Sequence, residues 1–258
     1  MKNLIRNLLV DLKQHLIKFR LYRSYLKEYH IFKATHGDRF TVEDKDQYPC
    51  LLDKMTETPF DKHYVYHTAW AARKLKELMP KEHIDISSFL YFSTLVSAFI
   101  PIKFYDYRPA NVEIDNLVSE HADITKLPFT DNSIQSLSCM HVVEHIGLGR
   151  YGDPLDVDGD LKAMEELKRV VAIGGILLFV VPVGKARIMF NAHRIYSYEQ
   201  VISYFDGFEL MEFSLIPDQS DEGLIINANK EQANEQLYGC GCFMFKKIRN
   251  KTDQEYEA

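Results

Sequence analysis

His141, Glu144 and His145 follow one another as H-x-x-E-H at the head of HVVEHIGLGRYGDPLD (141–156). At that spacing a zinc hydrolase carries two metal ligands and a general base. The chemistry needs a stiff helical turn, so that positions i and i+4 share one face. Here Met140 closes a strand-like run, and Gly147, Gly149 and Gly152 follow the second histidine almost at once. Glu165 or Glu166 would have to supply a third ligand. A strand, a short polar turn and a glycine-rich loop describe the stretch better, so no metal is expected on this motif. It reads as the lip of a different active site.

The elements that would position this lip alternate between strand and helix. HIDI (83–86), IKFYDY (102–107), HADI (121–124) and SIQSLSCM (133–140) read as strands. A helix is expected over Ser88 to Ala98. Another runs from Asp160 to Ala172, with Leu161, Met164, Leu167 and Val171 inward and Gly174-Gly175 as its stop. GILLFVVPV (175–183) is almost continuously apolar, as a central parallel strand covered on both faces must be. The pattern predicts an α/β fold: a Rossmann-like open, mostly parallel sheet. FELMEFSLI (208–216) and GCGCFMFKKI (239–248) are expected to close one edge as an antiparallel pair. Upstream, His63 to Met79 has helical spacing with Tyr66, Trp70, Leu75 and Leu78 on the buried side. We divide the chain into an N-terminal helical extension with its connection, 1–79, and the sheet domain, 80–258.

Charge is unevenly spread over the 258 residues. The formal net charge is −6, which argues against general nucleic-acid affinity. Residues 1 to 33 nevertheless carry eight Lys/Arg and two acids, about +6, leaving about −12 on the remainder. In this segment Ile5, Leu8, Leu9, Leu12, Leu16, Phe19 and Leu26 share one helical face. Such a face is covered by its own domain or a second copy, or lies on an anionic membrane. The first is favoured. No signal peptide is apparent, because Asp11 and Lys13 interrupt the apolar run. Cys50, Cys139, Cys240 and Cys242 form no C-x-x-C pair and read as reduced core thiols of a cytoplasmic protein. Metal binding by Cys240 and Cys242 is disfavoured, since no second pair completes a ligand set.

The order of elements and the residues at strand ends resemble class I S-adenosylmethionine-dependent methyltransferases over roughly residues 80 to 248. The resemblance is closest to a methyltransferase-like domain of unknown function first described from nematode sequences. It rests on HIDIS (83–87), DYRP (106–109), DITKLPFTDNS (123–133), HVVEHIGLGRYGD (141–153), Glu166 to Val170, PVG (182–184) and FNAHR (190–194). In an open α/β sheet, ligands sit outside the carboxyl ends of the strands where strand order reverses. The resemblance then implies an S-adenosylmethionine site at Asp85, Ser87, Asp106, Asp123, Ile124 and His141. Asp106 would accept from both ribose hydroxyls, and Asp123 and the Ile124 N–H would meet the adenine edge. It further implies that the glycine-rich loop covers an acceptor, held by Arg150, Tyr151, Asp153 and Arg194. His145 or His193 would be the base, with Glu144 or Asp153 orienting one of them.

One departure stands out. Relatives carry D-x-G-x-G after the first strand, whereas this chain reads DISSFLYF, with Phe89 placed to crowd the methionine end of the cofactor. Two readings follow. One is an enzyme that methylates an oxygen or nitrogen of a small or glycan-like acceptor, as in surface-polysaccharide chemistry. The other is a non-catalytic binding module on the same frame. A homo-oligomer, or peripheral contact with the inner face of a membrane through residues 1–30, would account for the first helix.

Overall fold

The computed structural model describes residues 2–87, 89–219 and 221–250, with side chains from residue 12 onward. The chain divides between Phe60 and Asp61 into two compact units.

The first unit is dominated by α1 (Lys2–Thr35), a 34-residue helix. Asp44, in the short 3-10 turn that follows, accepts from Tyr29 Oη and Lys33 Nζ, both at 2.7 Å. Lys54 pairs with Glu28. Leu12, Leu16 and Phe19 are exposed and Leu26 is half-buried, so the apolar stripe lacks a full cover within its own unit. The side chains of Ile5, Leu8 and Leu9, which begin the stripe, lie outside the described residues. Among the described residues no helix is long and apolar enough to cross a membrane.

The second unit begins with α2 (Lys62–Leu78), whose N-cap Asp61 accepts from the Tyr64 N–H at 3.2 Å. Then come β1 (His83–Ser87), α3 (Leu90–Val96), β2 (Ile102–Asp106), β3 (Leu117–His121), β4 (Ile134–Met140), α4 (Gly159–Val170) and β5 (Val171–Val183). A hairpin of β6 (Arg187–Met189) and β7 (His193–Ile195) precedes α5 (Tyr198–Tyr204), β8 (Phe208–Ile216), α6 (Lys230–Asn234) and β9 (Gly239–Lys247). Seven strands pair in the order β3-β2-β1-β4-β5-β9-β8. β1 to β5 are mutually parallel, and β9 runs antiparallel to both β5 and β8. The Rossmann-like sheet with an antiparallel closing strand is therefore as the sequence pattern predicts.

Both faces of the sheet are covered. Met164 and Leu167 from α4, Val201 from α5 and Phe205 just after it pack with Ile84, Ile86, Leu137 and Phe179 on one side. Trp70, Leu75, Phe92 and Val96 from α2 and α3 pack with Phe104, Met140, Leu178 and Val180 on the other. The alternation of facing along β4 and β5 is that of strands whose successive side chains point to opposite layers.

Several expectations change. α2 packs Trp70, Ala71 and Leu75 into the sheet's core, which places it with the second unit although the sequence reading drew the boundary at residue 80. Leu78 is exposed, because Met79 ends the helix in a left-handed cap just past it. The third strand is 117–121, so HADI is mostly the turn beyond it. Cys50 is exposed, whereas Cys139, Cys240 and Cys242 are buried free thiols.

Candidate functional site

Strand order reverses between β1, which continues to β2 and β3, and β4, which continues to β5. At the carboxyl ends of these strands lies a cavity of about 480 Å³. This is where an open α/β sheet binds its ligand, and the volume is that of a small-molecule site. Ser87, Tyr105 and Asp106 line it from strand ends, Asp123 and Ile124 from the turn after β3, and Gly147 and Gly159 from the β4–α4 loop.

The polar atoms here are only partly used by the protein. Asp106 accepts from the Arg108 N–H through Oδ1 at 2.6 Å, and Asp123 Oδ1 accepts from the Thr125 N–H and hydroxyl at 2.9 and 2.7 Å. The second oxygen of each carboxylate and the Ile124 N–H have no partner among the described residues. A diol and an aromatic edge with one acceptor and one donor would satisfy these groups.

Asp85 is not among them. It lies in the middle of β1 rather than in the turn, and its fully buried carboxylate accepts from Ser93 and Ser138. Burial pushes it up to about 6, against the two hydroxyl donors. Ser87 does reach the cavity, although its Oγ already accepts from the Phe89 N–H at 3.2 Å. Ser88 lies outside the described residues. Phe89 packs on Tyr64 with ring centroids 4.9 Å apart and is not among the residues that line the cavity.

A second, more polar cavity of about 330 Å³ adjoins the first, sharing His141, His145 and Tyr151 with it. Its other walls are residues 61–64 (Asp61, Lys62, His63 and Tyr64) at the start of α2, with Glu144, Arg150, His193 and Tyr238. His145 sits in a single 3-10 turn, Val143–His145, too short for a zinc helix. Its Nδ1 donates to the Ala192 carbonyl at 2.6 Å, which leaves Nε2 as the ring's acceptor. Arg150 shares that carbonyl at 3.1 Å. His193 stacks on Tyr238 at 4.7 Å and keeps a buried Nε2 without partner among the described residues. Burial lowers His193 from its usual range.

Glu144 is buried between the two histidines of the motif. Its Oε1 accepts from His141 Nδ1 at 2.7 Å and stands 3.7 Å from His145 Nε2. Burial acts to raise this carboxyl, but the His141 and His145 side chains outweigh it and hold it below the ordinary value. Burial, and then His141 beside it, push His63 down to about 4. Tyr64 and Tyr238 are pushed up to about 12, by burial first and Glu144 second.

The glycine-rich loop is built by residues assigned to the acceptor on sequence. Asp153 Oδ2 accepts from the Gly147 and Gly149 N–H groups at 2.7 and 3.3 Å, and Oδ1 from the Tyr151 N–H at 3.2 Å. It faces the larger cavity, not the smaller one. Arg194 is buried, donates to the Ile146 and Val157 carbonyls at 2.6 and 3.2 Å and pairs with Asp160 at 3.3 Å. Neither is free to hold an acceptor. Tyr151 lines both cavities, with the guanidinium carbons of Arg108 and Arg150 each 5.0 Å from its ring. Sequence reasoning missed His63, Tyr64 and Tyr238, which arrive from α2 and the β9 approach.

A seven-stranded sheet of this order with paired cavities at its carboxyl edge defines a class I methyltransferase-like fold. Residues 113–247 match the family described as "Caenorhabditis protein of unknown function, DUF268", over half of the chain, and the chain belongs to that family. Solved structures of the same fold include N-methyltransferase NodS from Bradyrhizobium japonicum in complex with S-adenosyl-L-homocysteine. It is 14% identical, with 90% of this chain and 99% of that one covered and a TM-score of 0.52. The putative methyltransferase of Haloferax volcanii, solved with its Trm112 activator, is 18% identical over 74% of this chain and 91% of that one (TM-score 0.50). YcgJ from Bacillus subtilis is 14% identical over 72% and 100% (TM-score 0.50). No curated protein matches the sequence.

Proposed function

We propose that this protein transfers a methyl group from S-adenosylmethionine to an oxygen or nitrogen of a small or glycan-like acceptor. The observation that carries the reading is the pair of adjoining cavities joined at His141, His145 and Tyr151, one offering unpartnered groups for a nucleoside and the other a polar chamber. When bound, S-adenosylmethionine supplies an electrophilic methyl group on a sulfonium.

The chain's own residues do the rest by positioning and proton handling. Asp106 holds the ribose hydroxyls, and Asp123 with the Ile124 N–H holds the adenine edge. Arg150 and Tyr151 close over the acceptor. His145 takes the acceptor's proton at Nε2, since Nδ1 is tied to Ala192, and the nearby Glu144 carboxylate stabilises the imidazolium that forms. His193, with its unpartnered Nε2, hydrogen-bonds the acceptor in the same chamber.

The second reading is a binding module without turnover. It draws on the β1–α3 turn, where Ser87 and Phe89 stand in place of glycines. Calorimetry with S-adenosylhomocysteine separates the two. The enzyme reading expects saturable heat, weakened about ten- to a hundred-fold in Asp106→Ala by loss of a charge-assisted acceptor. No heat at millimolar ligand favours the module, and an Asp106→Ala protein that binds like wild type moves the site elsewhere.

A further inference from the structure

Beside the smaller cavity three elements bring one side chain each to a common point: His63 from the first turn of α2, His141 from the exit of β4 and Cys240 from the start of β9. One donor atom of each lies within 4.8 Å of the other two. We propose that His63, His141 and Cys240 bind one divalent transition-metal ion, zinc by preference, with a fourth coordination position toward the acceptor cavity.

The donor chemistry fits. Zinc takes imidazole nitrogen and thiolate sulfur at about 2.0–2.1 and 2.3 Å, which sets the donors of a tetrahedral site about 3.5 Å apart. His141 Nε2 and Cys240 Sγ already stand at 3.4 Å. His63 has the remaining distance to close, and it sits half-buried at a helix end, with its ring parallel to that of His141 at 5.6 Å. Cys240 binds as thiolate, releasing its proton to solvent.

His141 is prepared for this task. Its Nδ1 is held by the buried Glu144 carboxylate, so Nε2 is the nitrogen left to coordinate. A carboxylate on the far side of the ring is how ligating histidines are oriented and made more basic. The His141 backbone is left-handed, with φ +55°. A non-glycine residue keeps that conformation where its surroundings over-determine it, and such positions cluster at functional sites. Two polar atoms beside the cluster, Glu144 Oε2 and His67 Nε2, the latter on a ring 5.1 Å from that of His141, are buried without partner among the described residues. Native interiors satisfy such groups, and a cation at this point would compensate the Glu144 charge.

The ligand set is not the one that H-x-x-E-H suggests. His145 is engaged with Ala192 on the other side of Glu144 and takes no part. Val143–His145 is a single 3-10 turn rather than a zinc helix, while partners from α2 and β9 give His141 a different role. Two of the three ligands line the acceptor cavity, so the ion would anchor an acceptor oxygen. That last step rests on the methyl-transfer reading; metal binding itself does not.

The test is titration of the metal-stripped full chain with Co²⁺, read by absorption, and with Zn²⁺, read by elemental analysis after dialysis. One equivalent is expected, with a thiolate-to-cobalt charge-transfer band in the near ultraviolet and tetrahedral d–d bands in the visible. Cys240→Ser loses the charge-transfer band while Cys242→Ser keeps it, and Glu144→Gln weakens binding about 10- to 100-fold. His63→Asn, at the half-buried helix end, should abolish stoichiometric uptake without unfolding the chain, as circular dichroism would show. A wild-type chain that takes up neither ion, or a charge-transfer band that survives Cys240→Ser, overturns the proposal. S-adenosylhomocysteine binding to the metal-stripped chain should persist, so failure of the metal site and failure of the cofactor site are told apart.

Discussion

Asp85 ends a line of buried hydrogen bonds that passes through β1 and β4. Ser136 Oγ and Ser138 Oγ lie 2.8 Å from the two ring nitrogens of His83, and Ser138 in turn donates to Asp85. Burial holds His83 neutral, down to about 3, and raises Asp85 to about 6. A carboxyl with a raised folded value binds its proton more tightly in the native state. Stability therefore falls as pH rises from the ordinary 3.8 through about 6, and the penalty is fully present above that. The gap corresponds to about 3 kcal/mol at most. Urea denaturation of wild type and Asp85→Asn at about pH 4.5, low in that window, and at about pH 7.5, above it, should show wild type losing stability relative to the variant at the higher pH. The contribution of His83, opposite in sign, cancels in that difference. A gap between the two proteins that is flat with pH would mean Asp85 is ionised at little cost. The sequence placed Asp85 at the ligand because an aspartate near a strand end has that use. Only the register, with Ile84 and Ile86 packed toward α4, shows that Asp85 faces the α3 layer.

Among elements, the β4–α4 loop carries most of the site, and its glycines are unequal. Gly147 has φ +80°, and a Cβ there would lie 2.0 Å from the Asp156 carbonyl oxygen. Gly152 has φ +84° with open space around it. Gly152→Ala should thus cost only the left-handed backbone penalty, about 1–2 kcal/mol. Gly147→Ala adds a backbone clash that no side-chain motion relieves, and a loss above about 3 kcal/mol is expected, in the range of a severe substitution. Thermal or urea unfolding of the two variants checks this; equal losses would show that the loop opens at no cost. The loop itself was legible, since three glycines after a strand announce a tight turn. The long apolar run of β5 and the FELMEFSLI and GCGCFMFKKI strands were legible for the same local reason. The β6–β7 hairpin was not, because two three-residue strands carry too little pattern. The convergence of His63, His141 and Cys240 was hidden by separations of 78 and 99 residues.

On the scale of the whole molecule, the two units differ in charge: residues 1–60 carry eleven Lys/Arg against eight acids, and residues 61–258, which hold the sheet, twenty against twenty-nine. The α/β class followed from the alternation of periods, since each strand and helix buries its own apolar face. The smaller cavity is foretold by no such repeat; side chains from α2, the β4–α4 loop, the β6–β7 hairpin and the β9 approach meet there. If the larger cavity is a nucleoside site, as we propose, a crystal structure of the chain grown with S-adenosylhomocysteine should show the ribose hydroxyls on Asp106, the adenine edge on Asp123 and the Ile124 N–H, and the sulfur beside His141 and His145. Density for the ligand elsewhere on the chain, or a cavity that stays without it at saturating concentration, would contradict the claim.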